Sequence, residues 1–139
     1  GSSVLVIRGS TFNGNSASGG NGGAIYHEAT NAGSNTAALL INCTLSGNSA
    51  TANGFIGGTG GAIFNFGSFS SNARLGLEDC TVSSNSATGG AGQSPLFGWG
   101  GGAGQGGGIY STGTLTVTGS TIGSNSARVA VSRLCSTYR

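Results

Sequence analysis

Residues 5–17 read LVIRGSTFNGNSA, residues 38–50 ALLINCTLSGNSA, residues 75–87 LGLEDCTVSSNSA and residues 115–127 LTVTGSTIGSNSA. All four segments end in Asn-Ser-Ala, at Asn15, Asn48, Asn85 and Asn125, spaced 33, 37 and 40 residues apart. After the first three comes a second block, GGAIY from Gly22, GGAIF from Gly60 and GGGIY from Gly106. A unit of this size cannot bury its own apolar face, so self-similarity at such a period marks a solenoid whose core is completed by stacking.

Inside each copy the apolar residues alternate, as Leu5 and Ile7, Ala38 and Leu40, Leu75 and Leu77, and Leu115 and Val117. A period of two is a strand signal. A second short strand turns Ser10 and Phe12, Cys43 and Leu45, Cys80 and Val82, and Ser120 and Ile122 inward, leaving Thr11, Thr44, Thr81 and Thr121 outward. The GGxI[YF] block adds a third, with Ile25, Ile63 and Ile109 inward. Helical periodicity is absent throughout. The expectation is an all-β, right-handed parallel β-helix of about four coils with three short strands per coil. Corresponding residues then stack about 4.8 Å apart and the four coils span about 19 Å.

The repeated columns read as scaffold. Asparagine tolerates left-handed backbone, and its amide can bond the identical amide one coil away. Asn15, Asn48, Asn85 and Asn125 are therefore expected to form an internal structural ladder that turns the chain between the second and third strands. Glycine pairs opening the GGxI strands suit tight bends and close backbone approach.

Bulk composition narrows the function classes. The 139 residues hold 30 glycines and only 6% charged residues, with regular apolar positions that argue against disorder. The five cations are all arginine, and Arg128, Arg133 and Arg139 crowd the last dozen residues, so nothing suggests a grip on nucleic acid. Apolar runs fall far short of the roughly 20 residues that cross a bilayer, so no membrane span is expected. GSSVLVIRGS is too short and too weakly basic for a secretory signal, and its apolar residues already fill a repeat strand. Residues 1–127 read as β-helix repeats, a slice of a longer solenoid or one with irregular ends. Residues 128–139 read as an off-pattern basic tail that pairs with the last coil, caps it, or has no structural role.

Length variation is confined to two corners. Between the NSA and GGxI blocks lie four, nine and eighteen residues in turn. Insertions of such different size mark loops leaving a solenoid, often on its binding side. The longest, residues 88–105, is glycine-rich and carries Phe97 and Trp99, the aromatic candidates for contact with a partner or glycan. The alternative is that these rings fold back onto the coil flank.

The GGAI blocks, with FNGN at Phe12 to Asn15, resemble the paired GGA[ILV] and FxxN motifs of chlamydial polymorphic outer membrane proteins. The likeness covers residues 4–127. More broadly, the coils are similar to the parallel β-helix repeats of large bacterial surface and secreted proteins. The phenylalanine of FxxN stands once, and Leu45, Val82 and Ile122 take its place elsewhere. The resemblance implies the passenger of an autotransporter, displayed at a cell surface, extracellular or on a bacterial outer membrane, and engaged in adhesion to a host or cell-surface protein or glycan.

β-Helices also degrade acidic polysaccharides, which needs clustered carboxylates. Only Glu28, Glu78 and Asp79 are present. Glu78 and Asp79, adjacent in a strand, are expected on opposite faces, and Glu28 in a connector. The single histidine, His27, is expected in the same connector, solvated rather than catalytic. GGAGQGGG lacks the lysine of a phosphate loop. The segment thus reads as non-enzymatic, with no cofactor and no metal site; the alternative is a carbohydrate-binding or polysaccharide-degrading β-helix whose catalytic coils lie outside it. Cys43 and Cys80 share a column, close enough for a disulfide or stacked as unbonded core thiols, and Cys135 lies in the tail. The outward threonine column resembles the flat hydroxyl arrays of ice-binding proteins, a remote further reading.

Overall fold

The computed structural model describes residues 2–52, 57–90 and 102–130. Fifteen strands alternate with bends in these residues, without a helix. They stack into four parallel sheets. The first contains β1 (Ser2–Arg8), β5 (Asn35–Ile41), β9 (Asn72–Glu78) and β13 (Thr114–Thr118). The second contains β2 (Thr11–Asn13), β6 (Thr44–Ser46), β10 (Thr81–Ser83) and β14 (Thr121–Gly123). The third contains β3 (Ser16–Ser18), β7 (Ser49–Thr51), β11 (Ser86–Thr88) and β15 (Ser126–Arg128). The fourth contains β4 (Ile25–Ala29), β8 (Ile63–Gly67) and β12 (Ile109–Ser111). The architecture is a parallel β-solenoid of three complete turns, and a further turn carries three of its four strands.

The register is the one the repeats dictate. Leu5 pairs with Ala38, Ala38 with Leu75 and Leu75 with Leu115, while Ile25, Ile63 and Ile109 stack in one column. Ala38, Leu40, Cys43, Leu45, Ala62, Ile63, Leu75, Leu77, Cys80 and Val82 form one core cluster. Burying a leucine or isoleucine fully stabilises the fold by about 2 kcal/mol, and the second and third coils do so: Leu40, Leu45, Ile63 and Leu77 are all 0% exposed. In the end rungs, which have a described neighbour on one side only, Leu5 is 54% and Ile122 46% exposed.

Two expectations need correction. Each full coil has four strands, not three, because Ser-Ala and the residue after it form a strand of their own, with Ala17, Ala50, Ala87 and Ala127 in one column. Ser-Ala-Xaa presents one inward residue, with no second apolar position at a spacing of two to mark it as a strand. The ladder asparagines, moreover, do not carry the left-handed backbone. That falls on the residue before each: Gly14 (φ 67°), Gly47 (63°), Ser84 (56°) and Ser124 (55°). A second left-handed column, Gly9, Asn42, Asp79 and Gly119, turns the chain from the first sheet into the second.

Candidate functional site

The asparagines bond to one another as a ladder whose two middle members, Asn48 and Asn85, are buried, with Asn125 half-buried and Asn15 exposed on the end rung. Asn48 Nδ2 donates to Asn85 Oδ1 at 2.9 Å and to Phe12 O at 3.0 Å. Asn48 Oδ1 accepts from Asn15 Nδ2 at 2.9 Å and from the Asn15 backbone amide at 3.0 Å. Two donors and two acceptor sites are all an asparagine amide has, so Asn48 is fully satisfied while 0% exposed. Asn85 repeats the pattern with Asn125 Oδ1 and Leu45 O. Asn48 and Asn85 thus spend their amides inside the core, on the scaffold.

Outward-facing side chains of the fourth sheet make the most distinctive surface. Alternation turns Ile25, Ile63 and Ile109 inward and therefore Tyr26, Phe64 and Tyr110 outward, in register. The Tyr26 and Phe64 centroids stand 5.0 Å apart and those of Phe64 and Tyr110 5.4 Å, with rings within 22° of parallel. Phe66, two residues on, lies parallel to Phe64 at 5.9 Å. The middle ring is only 6% exposed, whereas Tyr26 at the end of the stack is 54% exposed. Beside this column Phe66, Gly67, Ser68, Phe69 and Thr112 line a shallow groove, with Phe69 wholly exposed on the turn out of β8. Glu28 borders the column, and its carboxylate, ahead of burial, holds the Tyr26 phenol above its ordinary pKa. The signal for this surface was the Tyr, Phe and Tyr ending the three GGxI blocks; its meaning depends on which side of the strand faces water.

His27 departs from expectation. It lies within β4, not in a connector, and is only partly exposed. Its Nδ1 stands 2.7 Å from Asn65 Oδ1. Asn65 Nδ2 is committed to Ser111 Oγ at 2.8 Å and to the carbonyls of Thr114 and Ala73, so the oxygen faces the ring and Nδ1 is the donor. His27, Asn65 and Ser111 are thus a second interior polar column, on the fourth sheet. Glu28 also belongs to β4 rather than to a connector. Glu78 closes β9 and Asp79 occupies the left-handed corner after it (φ 51°); both are exposed, so the bend removes the opposite-face arrangement expected of a continuous strand. Among the described residues no three His, Cys, Asp or Glu side chains group as metal ligands.

Cys43 and Cys80 are buried free thiols. Each donates to the carbonyl two residues back, Ile41 at 3.3 Å and Glu78 at 3.2 Å, and Cys80 Sγ accepts the Cys43 amide at 3.4 Å. Ser10 and Ser120 in the same column bond Arg8 O and Thr118 O likewise. Burial pushes the Cys80 thiol pKa up. Thr11, Thr44, Thr81 and Thr121 form an exposed column in register on the second sheet. Ser16, Ser49, Ser86 and Ser126 form a column in register on the third, exposed at Ser16 and half-buried at the others. Arg128 closes β15 and Val129 bridges Ala103. Phe97, Trp99, Cys135 and the tail from residue 131 lie outside the described residues.

No family model, curated protein or solved structure matches the chain.

Proposed function

We propose that this chain is a non-enzymatic scaffold of a secreted or surface-displayed protein, serving adhesion, with recognition carried by the fourth sheet. One observation carries the reading. Tyr26, Phe64, Tyr110 and Phe66 form a stacked aromatic face on a rigid parallel sheet, with the free ring of Phe69 beside it. Aromatic side chains supply large contact area at low entropic cost, which is why they are enriched where proteins meet partners. The partner is a host or cell-surface protein or a glycan. The test is adhesion of beads coated with the protein to cultured cells, alongside a glycan array, each repeated with Tyr26→Ala and Phe69→Ala. The reading expects adhesion or glycan capture by wild type and at least a tenfold loss in both variants. Absence of binding in both formats, or equal binding by the variants, refutes it.

A second reading has an observation of its own. The threonine column of the second sheet gives an exposed hydroxyl strip at the inter-strand repeat of about 4.8 Å. Such a strip suits a flat crystalline surface, and ice is the one to test. Thermal hysteresis lost in Thr44→Lys supports this reading, and no hysteresis with no inhibition of recrystallisation ends it.

A further inference from the structure

Three buried polar side-chain atoms find no hydrogen-bond partner among the described residues: His27 Nε2, Ser34 Oγ and Thr36 Oγ1. Buried polar groups are nearly always paired, and an orphan calls for a specific account. These three belong to one corner of the solenoid. His27 pairs in register with Asn65, and Thr36 with Ala73. The lower two residues touch across the corner, Asn65 Nδ2 standing 3.4 Å from Ala73 O. One coil up, the same translation sets His27 facing Thr36. Ser34 stands just before β5, two residues from Thr36, and its carbonyl accepts the Asn72 amide at 3.0 Å, which extends the ladder of β5 and β9 back to it.

We infer that this corner binds one ordered water molecule, held by His27 Nε2, Ser34 Oγ and Thr36 Oγ1. The valences match. With Nδ1–H given to Asn65, the neutral ring presents Nε2 as an acceptor, and the two hydroxyls can each donate or accept. Water donates to Nε2, accepts from one hydroxyl and donates to the other. Three partners is the usual number for a buried water. A divalent metal is disfavoured, because one imidazole and two neutral hydroxyls are a poor ligand set. The order hydroxyl, imidazole, amide is also that of an activated nucleophile. Here the hydroxyl and Nε2 atoms are sealed from solvent, and a substrate could not reach them. The bound water ties the strand β4 to β5, across a corner that Asn65 and Ser111 close with direct bonds in the coils below.

The test uses the whole chain, whose only histidine is His27. Long-range proton–nitrogen correlation at neutral pH is expected to show the Nδ1–H tautomer. Water-selective rotating-frame experiments are expected to give a cross-peak from a long-lived water to the ring Hε1, weakened at least threefold in Thr36→Val or, should that variant not fold, in Ser34→Ala. Diethyl pyrocarbonate is expected to modify His27 at least tenfold more slowly in the native protein than in urea. An Nε2–H tautomer, no long-lived water at the ring, or native modification as fast as in urea each overturns the assignment.

Discussion

The carboxamide of Asn48 stacks on that of Asn85 with Nδ2 and Oδ1 2.9 Å apart, and the Asn48 backbone amide takes the same oxygen at 2.9 Å. Both residues lie in the interior, so truncating one strands the partners of the other. Asn85→Ala leaves the Asn48 amide, Asn48 Nδ2 and Leu45 O without their bonds. At about 1–3 kcal/mol for each orphaned group, with some relief by relaxation, the expected loss is about 4 kcal/mol. Asn15 is exposed and donates a single side-chain bond, to Asn48 Oδ1, which keeps the Asn15 backbone amide. Asn15→Ala is expected to cost about 1 kcal/mol. Urea midpoints of the two variants check the contrast; equal losses would falsify the ladder as a source of stability.

The glycine columns carry a prediction of opposite sign at two neighbouring bends. A Cβ on Gly61 would overlap Gly107 O and stand 2.6 Å from the Ser86 carbonyl carbon. Both obstacles are backbone of stacked strands and cannot move alone, so Gly61→Ala is expected to abolish the cooperative transition or lower stability by more than about 3 kcal/mol. Ser84 holds φ 56° in a column where the coils above use glycine at Gly14 and Gly47. Relief of left-handed strain there is about 1 kcal/mol, partly offset by glycine's greater unfolded-state entropy. Ser84→Gly is expected to raise the urea midpoint slightly. A drop would mean that the serine side chain makes a contribution its exposed position does not reveal.

The repeats made most of this fold legible, because a solenoid reuses one set of inward positions and four copies average out local noise. Leu5, Ala38, Leu75 and Leu115 were one column on paper and are one column in space. The third sheet escaped because Ser-Ala-Xaa has a single inward residue and no alternation to detect. His27 and Glu28 were misplaced for a related reason. The block before them ends in an aromatic, and nothing in Tyr-His-Glu-Ala marks whether the strand continues; the pairing of His27 with Asn65 decides it. The aromatic face was visible letter by letter in GGAIY, GGAIF and GGGIY, yet its significance needed the outward direction of those residues.

Cys80 ties stability to pH. Burial raises its thiol pKa above that of the unfolded chain, whose cysteines titrate near about 8.5. The folded state therefore keeps this proton longer. Its contribution is fully present below the unfolded value and is lost as pH rises through the folded one. Cys80→Ser retains an acceptor for the Cys43 amide, as Ser120 does for Cys80 at 2.9 Å, and removes the titration. Wild type is expected to lose stability relative to Cys80→Ser between pH 7 and pH 10, measured by urea unfolding with reductant present. Peptide mapping after iodoacetamide is expected to find Cys43 and Cys80 unmodified in the native protein and labelled in urea.

Phe64 and Phe69 separate structure from recognition on the same sheet. Phe64 is sandwiched between Tyr26 and Tyr110 and is 6% exposed. Its removal forfeits burial and three ring contacts, to Tyr26, Tyr110 and Phe66, of about 0.5–1.5 kcal/mol each, so Phe64→Ala is expected to cost about 3–5 kcal/mol. Phe69 is fully exposed and its loss leaves the core untouched; Phe69→Ala is expected to stay within about 0.5 kcal/mol of wild type. A binding defect in Phe69→Ala, with an unchanged urea midpoint, is then attributable to lost contact with a partner. Should Phe69→Ala instead unfold at markedly lower urea, the ring is part of the packing and the groove beside Phe66 loses its claim as a contact surface.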